Sequence, residues 1–227
     1  MDKWYIKLIV EGNEEYAFFE IVKELGTANC FVLDVEDANG YGEMPDLFLD
    51  ALRSELYDCV VCVYDVDNKA DEEHSPYNHV RSGLLAIIGD DGTVDLVSVC
   101  NNPNILQLFL LAADKLENVS LKTGSKKANS SLVHKYWQEI ASEKKDELGR
   151  LIKPSYDASS WQVDIMKFSI LRGDYTYETL LENAKDLPQN YCKCIPSSNI
   201  LPLLVALKEG DISYFEKIKK ALDENND

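Results

Sequence analysis

The chain has 227 residues, 45% of them hydrophobic, with a formal net charge of −17. That is enough apolar material for one large core, or a core with a smaller appendage, and it excludes a chain disordered throughout. No stretch of the sequence approaches the roughly 18 to 20 consecutive apolar residues that a bilayer requires, and Met1-Asp2-Lys3-Trp4 lacks the basic start and apolar run of a signal peptide, so the expectation is a cytoplasmic protein with no membrane partner.

Read in chain order, Tyr5 to Val10 is an apolar run that stops at Glu11-Gly12, which predicts a strand delivering Glu11 to a sheet edge. Asn13 is expected to cap a helix with Glu14 and Glu15 in its first turn, where negative charge suits the dipole. Phe18, Ile21, Val22 and Leu25 form its apolar stripe, and Gly26 ends it. Cys30 to Val35 reads as a second strand. An acidic loop, Glu36 to Glu43, leads through Pro45 into a helix with Leu47, Phe48, Ala51, Leu52 and Leu56 on one side.

Asp58 to Tyr64 is apolar almost without interruption, as in a strand buried on both faces at the centre of a parallel sheet. It ends in Asp65-Val66-Asp67-Asn68. A polar loop to Ser75 precedes a helix over Pro76 to Ile88, Gly89 to Gly92 turns the chain, and Asp95 to Cys100 reads as a fourth strand. Asn101 to Asn104 opens a mostly apolar helix, Ile105 to Leu116. Four strand-helix units predict a mostly parallel α/β sheet flanked by helices over residues 1–117. The remainder, 118–227, reads as a mainly helical extension packed on it: Ser130 to Leu148, Ser159 to Leu171, Tyr177 to Leu187, and Ile200 to Leu222 with a break near Gly210-Asp211.

Charge and cysteines narrow the chemistry. Residues 1–110 hold six Lys and Arg against 22 Asp and Glu, a balance of −16, whereas residues 111–227 balance at −1. Leu121 to Lys153 is locally basic, and Lys122, Lys126 and Lys127 there are the candidate nucleic-acid contacts, weighed against a merely solvated loop. Cys59 and Cys62 are three apart in a strand and point to opposite faces, so they read as core thiols rather than half a zinc site. Cys192 and Cys194 are likewise a pair without a second half. His74, His79 and His134 read as ordinary polar residues, and no glycine-rich phosphate loop is present.

A first strand ending in Glu11-Gly12 and a later one ending in Asp65-Val66-Asp67 resemble the TOPRIM domain of topoisomerases, primases and related nucleases. More narrowly, Glu11-Gly12-Asn13-Glu14-Glu15-Tyr16-Ala17-Phe18-Phe19 resembles the Glu-Gly-x-Thr-Glu-x-x-Tyr-Phe opening of RloB-like and abortive-infection TOPRIM proteins. Asn102-Pro103 is similar to the Asn-Pro that opens an apolar helix in that branch, and Pro196-Ser197-Ser198-Asn199 more faintly to its C-terminal segment. The resemblance covers residues 4–112. It departs at Leu106, where the branch carries a Glu, and at Glu14, where it carries a Thr.

The resemblance implies Glu11, Asp65 and Asp67 as the catalytic set, and these three with Glu15 as ligands of Mg²⁺ or Mn²⁺. The residue types suit that role. Magnesium takes hard oxygen donors, and two carboxylates two apart in extended chain lie roughly 6.5 to 7 Å apart on one side. Acidic residues that simply end strands and open turns are the plainer reading of each one alone. With the metal bound, Glu11 is either a ligand or a general base, Asn68 and Glu15 support the ligands from behind, and Gly12 leaves room for a phosphate. The expected function is a nuclease on DNA or RNA in bacterial or phage defence, with an ATPase partner. The alternative is a catalytically weak regulatory or toxin subunit acting through protein contacts, an idea prompted by Leu106 and by the acidic first half.

Overall fold

The computed structural model describes residues 3–66, 69–102, 105, 176–191 and 197–225. In chain order these form β1 (Trp4–Val10), α1 (Asn13–Gly26), β2 (Phe31–Asp37), α2 (Met44–Arg53), β3 (Cys59–Asp65), α3 (Pro76–Ile88), α4 (Asp91–Val97) and β4 (Ser98–Asn102). After them come α5 (Tyr177–Asp186), β5 (Ser197–Ser198), α6 (Leu201–Glu209) and α7 (Ile212–Asn225). The expected helices over Ile105 to Leu116 (Ile105 itself aside), Ser130 to Leu148 and Ser159 to Leu171 lie outside the described residues. So do His134, Cys192, Cys194 and the 117/118 boundary.

Five described strands make one sheet in the order β2-β1-β3-β4-β5. β1 through β4 run parallel, and β5 is antiparallel to β4. Parallel strands need crossovers, and α1 to α4 supply them. β3 is buried at every position, as its unbroken apolar run requires of a central strand. The chain leaves β1 for β2 on one side and returns to β3 on the other, so the strand order reverses between β1 and β3. A crevice opens outside the carboxyl ends of strands at such a reversal.

Helix α1 buries Phe18, Ile21 and Val22, with Leu25 packed against the core. α2 buries Met44, Phe48 and Ala51 but stops at Arg53, so Leu56 falls outside the helix and is 71% exposed. The reason is local: Ser54 Oγ donates to the Ala51 carbonyl at 2.7 Å, and Glu55 adopts a left-handed φ of 54° that ends the helix.

The fourth strand starts three residues later than expected, at Ser98 rather than Asp95. Asp95 to Val97 belong to α4, whose entry is fixed by the Asp90 carboxylate accepting from Thr93 N–H at 2.7 Å and from its hydroxyl at 2.8 Å. Val94 and Val97 face the core, and the Arg81 guanidinium pairs with Asp91 and Asp95, one helical turn apart. Short apolar runs do not distinguish strand from buried helix, and here the cap decided.

The C-terminal residues complete the same core. Leu203, Leu204, Leu207, Phe215 and Ile218 are buried in it, and the Phe215 ring meets Phe31 edge-on at 5.0 Å. Gly210, in the left-handed region at φ 75°, makes the expected break between α6 and α7. β5, a strand the residue pattern does not signal, pairs with β4 through its backbone and is braced by side chains. Ser198 Oγ donates to Asn101 Oδ1 at 2.7 Å, while Asn199 accepts from Cys100 N–H at 2.7 Å and donates to the Ser98 carbonyl at 2.9 Å. Among the described residues, no helix is long and apolar enough to cross a membrane.

Candidate functional site

Glu11 and Asp65 meet where the sheet reverses. Val10 of β1 pairs with Val63 of β3, and the ladder runs on past the strand end as Glu11 N–H donates to the Val63 carbonyl at 3.0 Å. The next rung is made by a side chain: Asp65 N–H donates to Glu11 Oε2 at 2.9 Å. The Asp65 carboxylate, 4% exposed, accepts in turn from Ile105 N–H through Oδ1 at 3.1 Å. Both carboxylates are therefore held in place by backbone donors, which strengthens them as charged acceptors.

Glu15 approaches from α1. Asn13 was expected to cap that helix; it is instead the first helical residue, and Gly12 occupies the cap position in extended backbone. Gly12 has no side chain to accept from the helix, so Glu15 Oε2 reaches back to Gly12 N–H at 3.1 Å and makes half of a capping box. This buries Glu15 to 3% exposure. A Cβ at Gly12 would lie 3.7 Å from Glu15 Oε2, an ordinary contact, so packing within the chain does not itself require glycine there.

The third wall went unread as part of the site in the sequence. β2 ends in Asp37, whose register partner is Val10, and the turn that follows folds back over the end of β1. Ala38 N–H donates to the Val10 carbonyl at 2.9 Å and Gly40 N–H to the Glu11 carbonyl at 2.7 Å. Asn39 N–H donates to Asp37 Oδ1 at 2.7 Å, with Asn39 and Gly40 both at positive φ. The available signal was that three neighbouring strands, β2, β1 and β3, all lead into a carboxylate.

Together these elements enclose a cleft of about 330 Å³ lined by the carboxylates of Glu11, Glu14, Glu15, Asp37 and Asp65. Its donors are all oxygen, with no Cys or His among the lining residues, which is the chemistry of magnesium or manganese rather than of zinc. Among the described residues no three His, Cys, Asp or Glu side chains are drawn together tightly enough to hold an ion. Asp67 and Asn68, expected to complete the set, lie outside the described residues, as do Leu106 and the candidate lysines Lys122, Lys126 and Lys127.

The cysteines agree with a core role. Cys59 and Cys62 are buried in β3, and burial pushes both thiols far above their ordinary pKa. His74 and His79 stand apart from the carboxylate cleft, in a neighbouring one beyond Tyr41. Comparison with known proteins gave no match, whether to a family model, a curated protein or a solved structure.

Proposed function

We propose that this chain is a TOPRIM-like protein that cleaves the phosphodiester backbone of DNA or RNA with the help of Mg²⁺ or Mn²⁺, in bacterial or phage defence and alongside an ATPase partner. The observation that carries the reading is the rung between Glu11 and Asp65 at the reversal of the sheet, in a cleft lined by carboxylates. Glu11 and Asp65, with Asp67, would hold the ion, and Glu15 would orient the first turn of α1 behind them. When bound, a divalent ion supplies an acidified water and neutralises charge on the phosphate.

The chain's own part is positional. Backbone donors fix the Glu11 and Asp65 carboxylates before any substrate arrives, so no reorganisation is needed at the moment of reaction. Glu11 is either a ligand or the base that takes the proton from the attacking water.

The test is cleavage of single- and double-stranded DNA and RNA by the purified chain with Mn²⁺. Loss of cleavage in Asp67→Ala, with folding intact, supports the reading, and equal cleavage by that variant overturns it. The charge of −16 over residues 1–110 favours a second reading, a regulatory or toxin subunit that acts through protein contacts, because such a face repels a phosphate backbone. Calorimetry separates the two: tight Mn²⁺ binding favours the enzyme, and no binding favours the subunit.

A further inference from the structure

Next to the carboxylate cleft lies a larger one of about 630 Å³, within the range of small-ligand pockets. The two share a wall. Asn39 and Gly40 line the first, and Tyr41 and Gly42, the next two residues of the same turn, line the second. Its other residues come from the start of α2, from the loop at Glu73-His74 and from α3.

The chemistry of this second cleft is specific. Tyr41 is 40% exposed, and its ring meets the His79 imidazole edge-on at 5.4 Å, an arrangement in which each ring keeps at least one face clear of the other. Two carboxylates, Asp46 and Glu73, line the same cleft, and none of the described lining residues is Lys or Arg. A phosphate would be repelled here. The aromatic and carboxylate lining suits a planar aromatic group that offers hydrogen-bond donors at its edge. Exocyclic amines of adenine and cytosine donate to carboxylates, whereas uracil and thymine present a carbonyl oxygen at the matching position.

We infer that the cleft lined by Tyr41 and His79 is a base pocket, taking an amino-bearing nucleobase whose flanking phosphate lies over the carboxylates next door. The inference rests on the phosphodiester reading above for its choice of ligand. Gly83 and Pro45, which both line the pocket, bring α2 and α3 so close together that a Cβ at Gly83 would lie 2.5 Å from Pro45 Cγ. Aromatic stacking supplies affinity without regard to sequence, and the carboxylates at the edge supply the discrimination.

The test uses free nucleosides, which carry no phosphate, titrated into the full chain while the imidazole proton signals of His74 and His79 are followed. Adenosine and cytidine should shift His79 and bind about tenfold or more tightly than uridine. Tyr41→Ala should weaken adenosine about tenfold. Tyr41→Phe should retain binding, and Glu73→Gln should narrow the gap between cytidine and uridine. Uridine binding as well as adenosine, or indifference to Tyr41→Ala, overturns the inference. Nucleoside binding without any cleavage of nucleic acid leaves the pocket standing and sinks the nuclease. Cleavage with no nucleoside bound does the reverse.

Discussion

Asp65 and Glu11 are joined by a hydrogen bond that belongs to neither strand, a backbone donor of β3 meeting a side-chain acceptor just beyond β1 at 2.9 Å. A carboxylate used in this way has two separable roles, one in closing the sheet and one in whatever the cleft binds.

Substitution can separate them. Glu11→Ala leaves the Asp65 N–H without its partner and should cost about 1–2 kcal/mol in urea denaturation. Glu11→Gln retains an acceptor oxygen and should recover most of that loss, yet weaken Mn²⁺ binding by about tenfold or more in calorimetry. Equal Mn²⁺ affinity in both variants and in the natural chain would remove Glu11 from the metal site.

Lys7 is the clearest case of charge inside the sheet. Its side chain is 9% exposed, and its ammonium pairs with Asp34 at 2.8 Å and Glu36 at 2.7 Å across the β1–β2 seam. The Tyr57 hydroxyl also donates to Asp34. Lys7→Met should destabilise by about 1–2 kcal/mol, less than for a fully buried pair because both carboxylates remain nearly half exposed.

The same cluster sets a pH dependence. Burial raises the Asp34 pKa, but hydrogen bonds from Lys7 and Tyr57 outweigh it and hold the carboxyl below its usual range. The stability this contributes is present above the unfolded value of about 3.9 and is lost as pH falls through the folded value. Asp34→Asn should therefore show a shallower loss of stability than the natural chain below about pH 4. Lys7 is shifted the opposite way: burial opposes its charge, yet Asp34 and Glu36 raise its pKa overall, so its contribution is complete below about 10.4 and fades only in strong alkali.

Gly83 is required by packing rather than by backbone freedom. In Gly83→Ala the new methyl meets the rigid Pro45 ring, and the α2–α3 contact must open. The net effect should be destabilising by about 1–2 kcal/mol in spite of the roughly 1 kcal/mol that alanine gains in a helix interior.

The buried thiols give a chemical check on the core. Iodoacetamide at pH 8 should leave Cys59 and Cys62 unmodified in the native chain and label both after denaturation, as read by peptide mass. Labelling of either under native conditions would mean that β3 is not a buried central strand.

Much of this architecture was legible because β1, apart from Lys7, and β3 are apolar runs, and α1 and α2 each carry an apolar stripe. Glu11 and Asp65 could be placed because both runs stop abruptly at a carboxylate. Asp37 was not read as a site residue, because Glu36 and Asp37 look like loop residues until pairing with β1 draws them into the strand. α4 was hidden for a related reason. Its apolar positions alternate over too short a span to show their period, and its identity rests on the cap at Asp90 and the ion pairs to Arg81. The half capping box at Gly12 is likewise a consequence of Glu15 turning inward, which spacing alone does not reveal.

The clasp at Ser198 and Asn199 bears on how the chain is made. Nearly a hundred residues separate β4 from the strand that covers its edge, so a chain emerging from the ribosome can pair β1 to β4 long before β5 exists. Among the described residues, the backbone partner of β4 on that edge is β5, so this pairing waits until β5 is made. Synthesis of those intervening residues takes roughly 5 to 20 s, and for that interval the nascent sheet lacks its fifth described strand.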